Sequence, residues 1–508
     1  MLRFPWLSRP GAGSVRRQVV ALGTALALEA VAGIGAIAAP LRADWLNNGG
    51  GSGGDALALG PECELNDRDR ATLEQLHTAA IAATSPGDRN DALRQYREFN
   101  YRRARDLQQC RQRQAFPHKA LWLRLYPCDA QPGAIDRLFD EIANGGYSHI
   151  YLETFYDGRV LLPAANNPTV WPSVLREAGY ENVDLLAQAL QAGRERGITV
   201  YAWNFLLNFG DAYARNPSRA DALARNGQGQ ISIEAPITGH EVFVDPYSDT
   251  ARRDYQTLLA ALLQRRPAGV LFDYVRYPRG TGPASVAAKV ADLWIHSPAS
   301  RDAAIARGTN ERSRAAIALY LRQGFVSAAD LAALDRQFPN QPLQWPGRNP
   351  NRVIADDLWA FALDHARQGV LDFLDTAIAP VQQRGLSAGA VFFPEGNQAV
   401  GERGFDSRLQ PWPDFPKTIE WHPMSYATCG TPTCIVEQVQ RVMAQANGAR
   451  VIPALAGNWQ QPLNGRPPVR QQAQALRSTV PNLAGVSQFA FDWQYVEATR
   501  QRKFCQLR

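Results

Sequence analysis

Four acidic residues of this chain stand at the end of short apolar runs or just beyond them. Glu153 closes His149-Ile-Tyr-Leu, Asp273 closes Gly269-Val-Leu-Phe, Glu395 follows Ala388 to Phe393, and Asp492 follows Val486 to Phe491. A carboxyl group placed behind apolar residues is partly stripped of water, which raises its pKa and suits it to hand over a proton. Cleavage of a glycosidic bond needs one such acid for the leaving oxygen and a second carboxylate that attacks or activates water. Asp273 meets the first demand best, because alternation sets it with Leu271 and Val275 on an inward side. For the second carboxylate, depth ranks Glu153 and Glu395 ahead of Asp492. Glu420 comes early in its run and is expected to bond within the core. The plain alternative for Asp273 is a structural acid bonded to Arg276 or to loop backbone.

Aromatic residues gather at or near the same run ends: Tyr126, Trp203, Tyr277, Trp421, Tyr426 and Trp493. Their flat faces suit the apolar faces of pyranose rings, although aromatics at such spacing also fill cores. Arg124, Asn204, Arg276 and His422 have the donors to hold hydroxyls or an acidic substituent. A lone strand histidine is more often a satisfied core group, and His422 carries that second reading. No clustered His and Asp ligands and no Cys-x-x-Cys occur, so this chemistry calls for neither metal nor cofactor.

These residues need a frame that brings run ends together. Eight runs read as strands: Ala120 to Tyr126, His149 to Thr154, Ile198 to Asn204, Gly269 to Tyr274, Ala388 to Phe393, Thr418 to Met424, Val451 to Ala456 and Val486 to Phe491. Amphipathic segments separate them, which implies parallel pairing with right-handed crossovers. Eight such units in one domain predict a closed (β/α)8 barrel, an α/β fold, spanning residues 117 to 508. An open doubly wound sheet is the rival, and the Gly-x-Gly-x-x-Gly turn it often carries is missing after the first strand. Residues of about 280 to 357 form a long insertion after the fourth strand, on the face where barrel sites lie. Residues 61 to 116 read as a helical hairpin broken at Ser85-Pro86-Gly87, residues 41 to 60 as a glycine-rich tether, and residues 1 to 40 as a targeting segment.

Several segments, taken in order, resemble the family 10 glycosyl-hydrolase-like domain, a barrel family of mostly exported bacterial proteins. They are Ala120-Leu-Trp-Leu-Arg-Leu-Tyr126, Gly145-Gly-Tyr-Ser-His-Ile-Tyr-Leu-Glu153, Arg196-Gly-Ile-Thr-Val-Tyr-Ala-Trp-Asn204, Val244-Asp-Pro-Tyr-Ser-Asp-Thr-Ala-Arg-Arg-Asp-Tyr255, Gly269-Val-Leu-Phe-Asp-Tyr-Val-Arg-Tyr-Pro278 and His422-Pro-Met-Ser-Tyr426. The fourth-strand segment is the most specific, and the match runs over about residues 118 to 495. The resemblance implies hydrolysis of glycans, with Asp273 catalytic and Trp203 and Tyr426 at the sugar. Many retaining barrel glycosidases carry a nucleophile at strand seven, whereas Ile452-Pro-Ala-Leu-Ala-Gly457 has no acid.

The formal charge of +6 falls to +3 once the four arginines and Glu29 of the first 40 residues are set aside. No basic run tracks a phosphate backbone, so nucleic-acid binding is excluded. The basic stretch ending in Arg16-Arg17, followed by the apolar run Val19 to Ala39, fits a cleaved signal and an uncleaved membrane anchor alike. Export places the protein in the periplasm, on the membrane or outside the cell. It also makes disulfides of the six cysteines, with Cys429 and Cys434 the best pair and Cys63 and Cys110 placed to pin the hairpin. The expected function is a hydrolase of a polysaccharide or cell-wall glycan. A non-catalytic glycan-binding barrel and a metal-dependent deacetylase are the alternatives.

Overall fold

A computed structural model describes Leu59 and residues 62–507. The expected leader at 1–40 lies outside the described residues, as does all of the tether but Leu59. Eight parallel strands form a ring: β1 (Lys119–Leu123), β2 (His149–Tyr156), β3 (Thr199–Phe205), β4 (Gly269–Asp273), β5 (Ser387–Phe392), β6 (Glu420–Ser425), β7 (Ala454–Ala456) and β8 (Val486–Phe489). Each pairs with the next, and β8 pairs back onto β1 with Lys119 opposite Val486, so the sheet has no open edge. The chain is therefore the (β/α)8 barrel that the alternation of runs predicts. Pro453, which has no N–H to give, separates β7 from the short strand Arg450–Val451 that precedes it on the same ladder.

Helices α1 (Asp67–Ala82) and α2 (Pro86–Gln112) precede the barrel, and α3 (Ala134–Asn144), α4 (Leu185–Glu195), α5 (Asp249–Leu263), α6 (Ile354–Gln382), α7 (Thr433–Ala446) and α8 (Val469–Thr479) surround it. Helix α9 (Val496–Phe504) ends the described chain. Asn66 and Ser85 cap α1 and α2 by accepting from backbone N–H groups three residues on, and Pro86 presets the first turn of α2. Buried Asp140 of α3 binds the hairpin to the barrel, since Arg103 of α2 and Arg196 after α4 both reach its Oδ1, at 3.2 and 2.7 Å. Two buried guanidinium groups are tolerable there because each has this acid and backbone carbonyls as partners. Disulfides join Cys63 to Cys110, Cys128 to Cys505 and Cys429 to Cys434. Among the described residues, no helix is long and apolar enough to cross a membrane.

Between β4 and α6 the chain builds three further helices, Pro298–Ala306, Glu311–Gln323 and Ala328–Gln337. Buried Asp245 docks this insertion, its Oδ2 accepting from Ser297 Oγ at 2.7 Å and Ser300 N at 2.9 Å. Its strand Val286–Ala287 also pairs with Gly404–Asp406 from the loop after β5.

Inside the ring, Trp122, Tyr151, Trp203, Leu271 and His422 interlock. Trp122 meets Trp203 edge to face at 4.8 Å, and Tyr151 meets His422 at 5.2 Å. His422 is fully buried and bonds to Glu420 Oε2 at 3.3 Å, so it fills the barrel and does not line the cleft as sequence allowed. Gly389 on β5 makes room for it. A Cβ there would lie 2.6 Å from Leu271 Cδ2 and 3.0 Å from the His422 ring. Gly389→Ala is accordingly expected to cost about 1–3 kcal/mol through overpacking. Urea unfolding measures this, and an unchanged midpoint would contradict the packing described.

Candidate active site

Strand β4 ends at Asp273, and the next residue, Tyr274, has φ +54°, a left-handed conformation uncommon for an aromatic side chain. The turn is held because Tyr274 N donates to Asp273 Oδ1 at 2.6 Å while Leu206 N donates to the Asp273 carbonyl at 2.7 Å. From the neighbouring strand, Trp203 Nε1 donates to Oδ2 at 3.1 Å. Asp273 is 8% exposed. Burial raises its pKa to about 6, the Tyr274 N–H, Arg276 and Trp203 pull it down, and Glu241 adds to the rise.

One layer deeper lies Glu153, because it pairs with Trp203 and Trp203 pairs with Leu271, two residues before Asp273. Arg124 leaves β1 and grips both of its oxygens, Nη2 reaching Oε1 at 3.0 Å and Nε reaching Oε2. The guanidinium also lies 4.3 Å over the Tyr156 ring. Burial pushes Glu153 up to about 7 against this pull, with Asp157 and Asp273 adding repulsion. Both oxygens of Glu153 are committed to Arg124.

A further carboxylate comes from the loop between β3 and α5. Glu241 Oε1 accepts from Tyr274 OH at 2.9 Å, while Oε2 is buried with no hydrogen-bond partner. Burial raises its pKa, and Arg276 opposes the rise. Arg276 itself lies 4.5 Å over the Tyr274 ring and 5.6 Å over Phe243. Asp157, just past β2, likewise has an unpartnered buried oxygen and a carboxyl raised by burial. No group of three or more His, Cys, Asp or Glu among the described residues is placed to hold a metal ion.

Aromatic rings wall the other side. Phe489, the last residue of β8, is the hub, with Trp203 at 6.3 Å, Tyr426 at 5.5 Å and Trp493 at 5.8 Å between centroids. Tyr426 also lies close enough to Asp273 that the acid's charge raises its phenol pKa, after burial itself. Asp273 is thus a buried acid with rings on one flank and carboxylates on the other. Such a site can protonate an oxygen held against the rings.

Of the residues expected from sequence, the structure brings together Asp273, Glu153, Trp203, Arg276, Tyr426 and Trp493. Tyr126 and Asp492 meet at the rim, where the phenol donates to Asp492 Oδ2 at 2.9 Å. Three others stand apart. Glu395 is held by Gln438 and Arg441 of α7. Tyr277 is fully buried and donates its hydroxyl to the Ala366 carbonyl of α6 at 3.2 Å. Asn204 alternates with Trp203, so it faces out of the ring, where its Oδ1 accepts from Thr154 Oγ1. Val275, expected inward, lies beyond the left-handed Tyr274, where the strand's alternation no longer applies. Sequence reasoning missed Glu241, Asp157 and Phe489. Glu241 precedes the apolar Val242-Phe243-Val244 and does not follow it, so a search for acids at run ends passes over it.

No protein-family model matches the chain, and no curated protein matches it. The family 10 resemblance rests on the motifs alone. Among solved structures it is similar to the PgaB (BpsB) glycoside hydrolase domain from Bordetella bronchiseptica, at 18% identity and TM-score 0.48, over 77% of this chain and 99% of that one. It is also similar to a β-N-acetylhexosaminidase from Bacteroides fragilis, at 9% identity and TM-score 0.38, over 77% of this chain and 63% of that one. A third is the exo-β-N-acetylglucosaminidase of Vibrio harveyi, at 9% identity and TM-score 0.37, of which this chain spans 50% while being covered over 73% of its own length.

The grip of Arg124 on Glu153 has a signature in stability. With Arg124→Met, Glu153 is a buried carboxyl without its cation, and its native pKa climbs further above the unfolded value. The charged form then opposes folding, so the deficit is small at low pH and grows as pH rises. Because the native pKa is already about 7, urea unfolding is expected to show a deficit about 1 kcal/mol larger near pH 8 than near pH 6. A deficit independent of pH would contradict this pairing.

Proposed function

We propose that the protein hydrolyses glycosidic bonds of a polysaccharide or cell-wall glycan, with Asp273 as the general acid. The observation that carries this reading is a buried carboxyl group at the carboxyl end of β4, held by Trp203 Nε1 and Tyr274 N beside Tyr426 and Glu241. Its proton passes to the glycosidic oxygen as the bond to the anomeric carbon breaks. Glu241, with one uncommitted oxygen, is the second carboxylate and either attacks that carbon or takes a proton from water. Arg124 holds both oxygens of Glu153 in place under the reacting groups. Trp203, Tyr426 and Trp493 stack against the sugar, while Tyr126 and Asp492 bound it at the rim. This is also the chemistry implied by the motifs that resemble the family 10 glycosyl-hydrolase-like domain. Three disulfides and no free cysteine among the described residues favour an oxidising compartment, which fits export to the periplasm, the membrane or the medium.

The test uses the full chain and a panel of cell-wall and capsular glycans, with reducing-end release as the readout. Asp273→Asn is expected to lower the rate by about 10²–10⁴. In the parent, the rate is expected to fall as pH rises through about 6, because the acid then loses its proton. Equal release by parent and variant removes Asp273 from the mechanism. No release from any glycan returns the chain to the class of binding barrels.

A further inference from the structure

On the same carboxyl-end face, a cavity of about 640 Å³ lies outside the chemistry described so far. Its lining comes from three loops, those after β3, β4 and β5, and it accounts for part of what the long insertion builds. The walls are largely apolar, with Pro236, Ile237, Pro283, Val286 and Trp294. Polar groups are few, among them Gln228 and Gln230, and the charges are one cation, Lys289, and one anion, Asp292. Volume and lining both match a site for a small organic ring.

The cavity is held open by bonds within its own walls. Asn226 Oδ1 accepts from the N–H groups of Gln228 and Gln230, both at 3.0 Å, which fixes the turn at the rim. Gly227 presses that turn onto the insertion, its N–H donating to the Ala291 carbonyl at 2.9 Å. A Cβ on Gly227 would meet Ala291 Cα at 2.5 Å, so glycine permits the approach. On the opposite wall, Gly280 pairs with Ile237 and donates to Ser407 Oγ at 2.8 Å. A Cβ on Gly280 would lie 1.8 Å from the Ala284 carbonyl oxygen. Three loops locked to one another leave little ordering entropy for a ligand to overcome.

Packed side chains link the wall of the cavity to Asp273. From Ser407 the chain runs to Arg408, whose guanidinium lies 4.6 Å over Phe393, and Arg276 lies 5.9 Å over the same ring. Arg276 in turn covers Tyr274, next to Asp273. Gly280 lies seven steps along the chain from Asp273, so the two places are at most about 25 Å apart. That is the reach of a short oligosaccharide.

The geometry points to a second glycan-binding subsite here, taking a neutral sugar residue of the same polymer several units from the bond that is cleaved. It rests on the glycan reading above. Apolar walls suit the face of a pyranose, the amides suit its hydroxyls, and the balanced charges give no preference for an ionised sugar. The protein would then act on chains and prefer long ones.

Binding is measured by calorimetry on full-length Asp273→Asn, with cellohexaose, chitohexaose and maltohexaose as probes and the matching disaccharides as controls. One hexaose is expected to bind at least about tenfold tighter than its disaccharide. Ala284→Trp and Ala288→Trp, exposed positions that line the cavity, fill it. Each should remove that advantage while leaving disaccharide binding and the melting temperature unchanged. A hexaose advantage that survives both variants overturns the subsite, and so does the absence of any advantage in the parent. Hydrolysis is not read here, so a parent that releases nothing from any glycan would sink the glycosidase reading while the hexaose advantage leaves this one standing.

Discussion

Removing Asp273 from water is the constraint on which the arrangement of this face depends. The rise from its ordinary 3.8 to about 6 corresponds to about 3 kcal/mol in favour of the protonated form. Trp203 and the Tyr274 N–H hold the carboxylate oxygens in place without supplying a full countercharge, so the acid stays oriented and yet keeps its proton. Tyr274 adopts a left-handed backbone to deliver that N–H, a conformation that costs of order 1–3 kcal/mol and persists only where surrounding structure enforces it. Closing the sheet into a ring provides that enforcement, since β3 and β5 clamp β4 on both sides.

The same face is stiffened from behind by the end of the chain. Arg502 of α9 forks onto buried Asp129 with two bonds of 2.8 Å and donates to the Arg124 carbonyl at 2.8 Å. Asp129 Oδ2 also accepts from Tyr126 N at 2.8 Å, so the exit of β1 is fixed from three directions. The Cys128–Cys505 disulfide fastens the same contact covalently. Arg124 therefore reaches Glu153 from an immobile backbone, and Glu153 has a defined position under Asp273. At the opposite end of the barrel, Arg111 of α2 donates to the Gly197 carbonyl at 2.8 Å just ahead of β3.

Sequence carried the frame well, because short apolar runs bounded by turns and separated by amphipathic helices leave few ways to fold, and eight of them favour a ring. It carried Asp273, Glu153 and Trp203 because each sits at the end of such a run, where position in the chain equals depth in the barrel. The reading failed where that equality ends. After Asp273 the left-handed Tyr274 resets the alternation, so Val275 and Tyr277 could not be placed by parity. His422 is enclosed because a neighbouring strand carries Gly389, a pairing between distant segments that local pattern does not encode. Glu241 reaches the cleft on a loop positioned by single bridges, Asn208 to Phe243 and Leu223 to Val244, which leave no periodic signal. Likewise the Cys429–Cys434 disulfide follows from a short turn, whereas Cys128 and Cys505 are 377 residues apart and meet only through the tertiary fold.

Direct titration of the Asp273 carboxyl is the measurement closest to the centre of this account. Infrared difference spectra between the parent and Asp273→Asn, taken over about pH 3 to 8, isolate its protonated carbonyl band. The account predicts a midpoint near 6, well above the ordinary carboxylate value. A midpoint near 3.8 would mean that water or a cation reaches the group, and the acid role built on its burial would be contradicted.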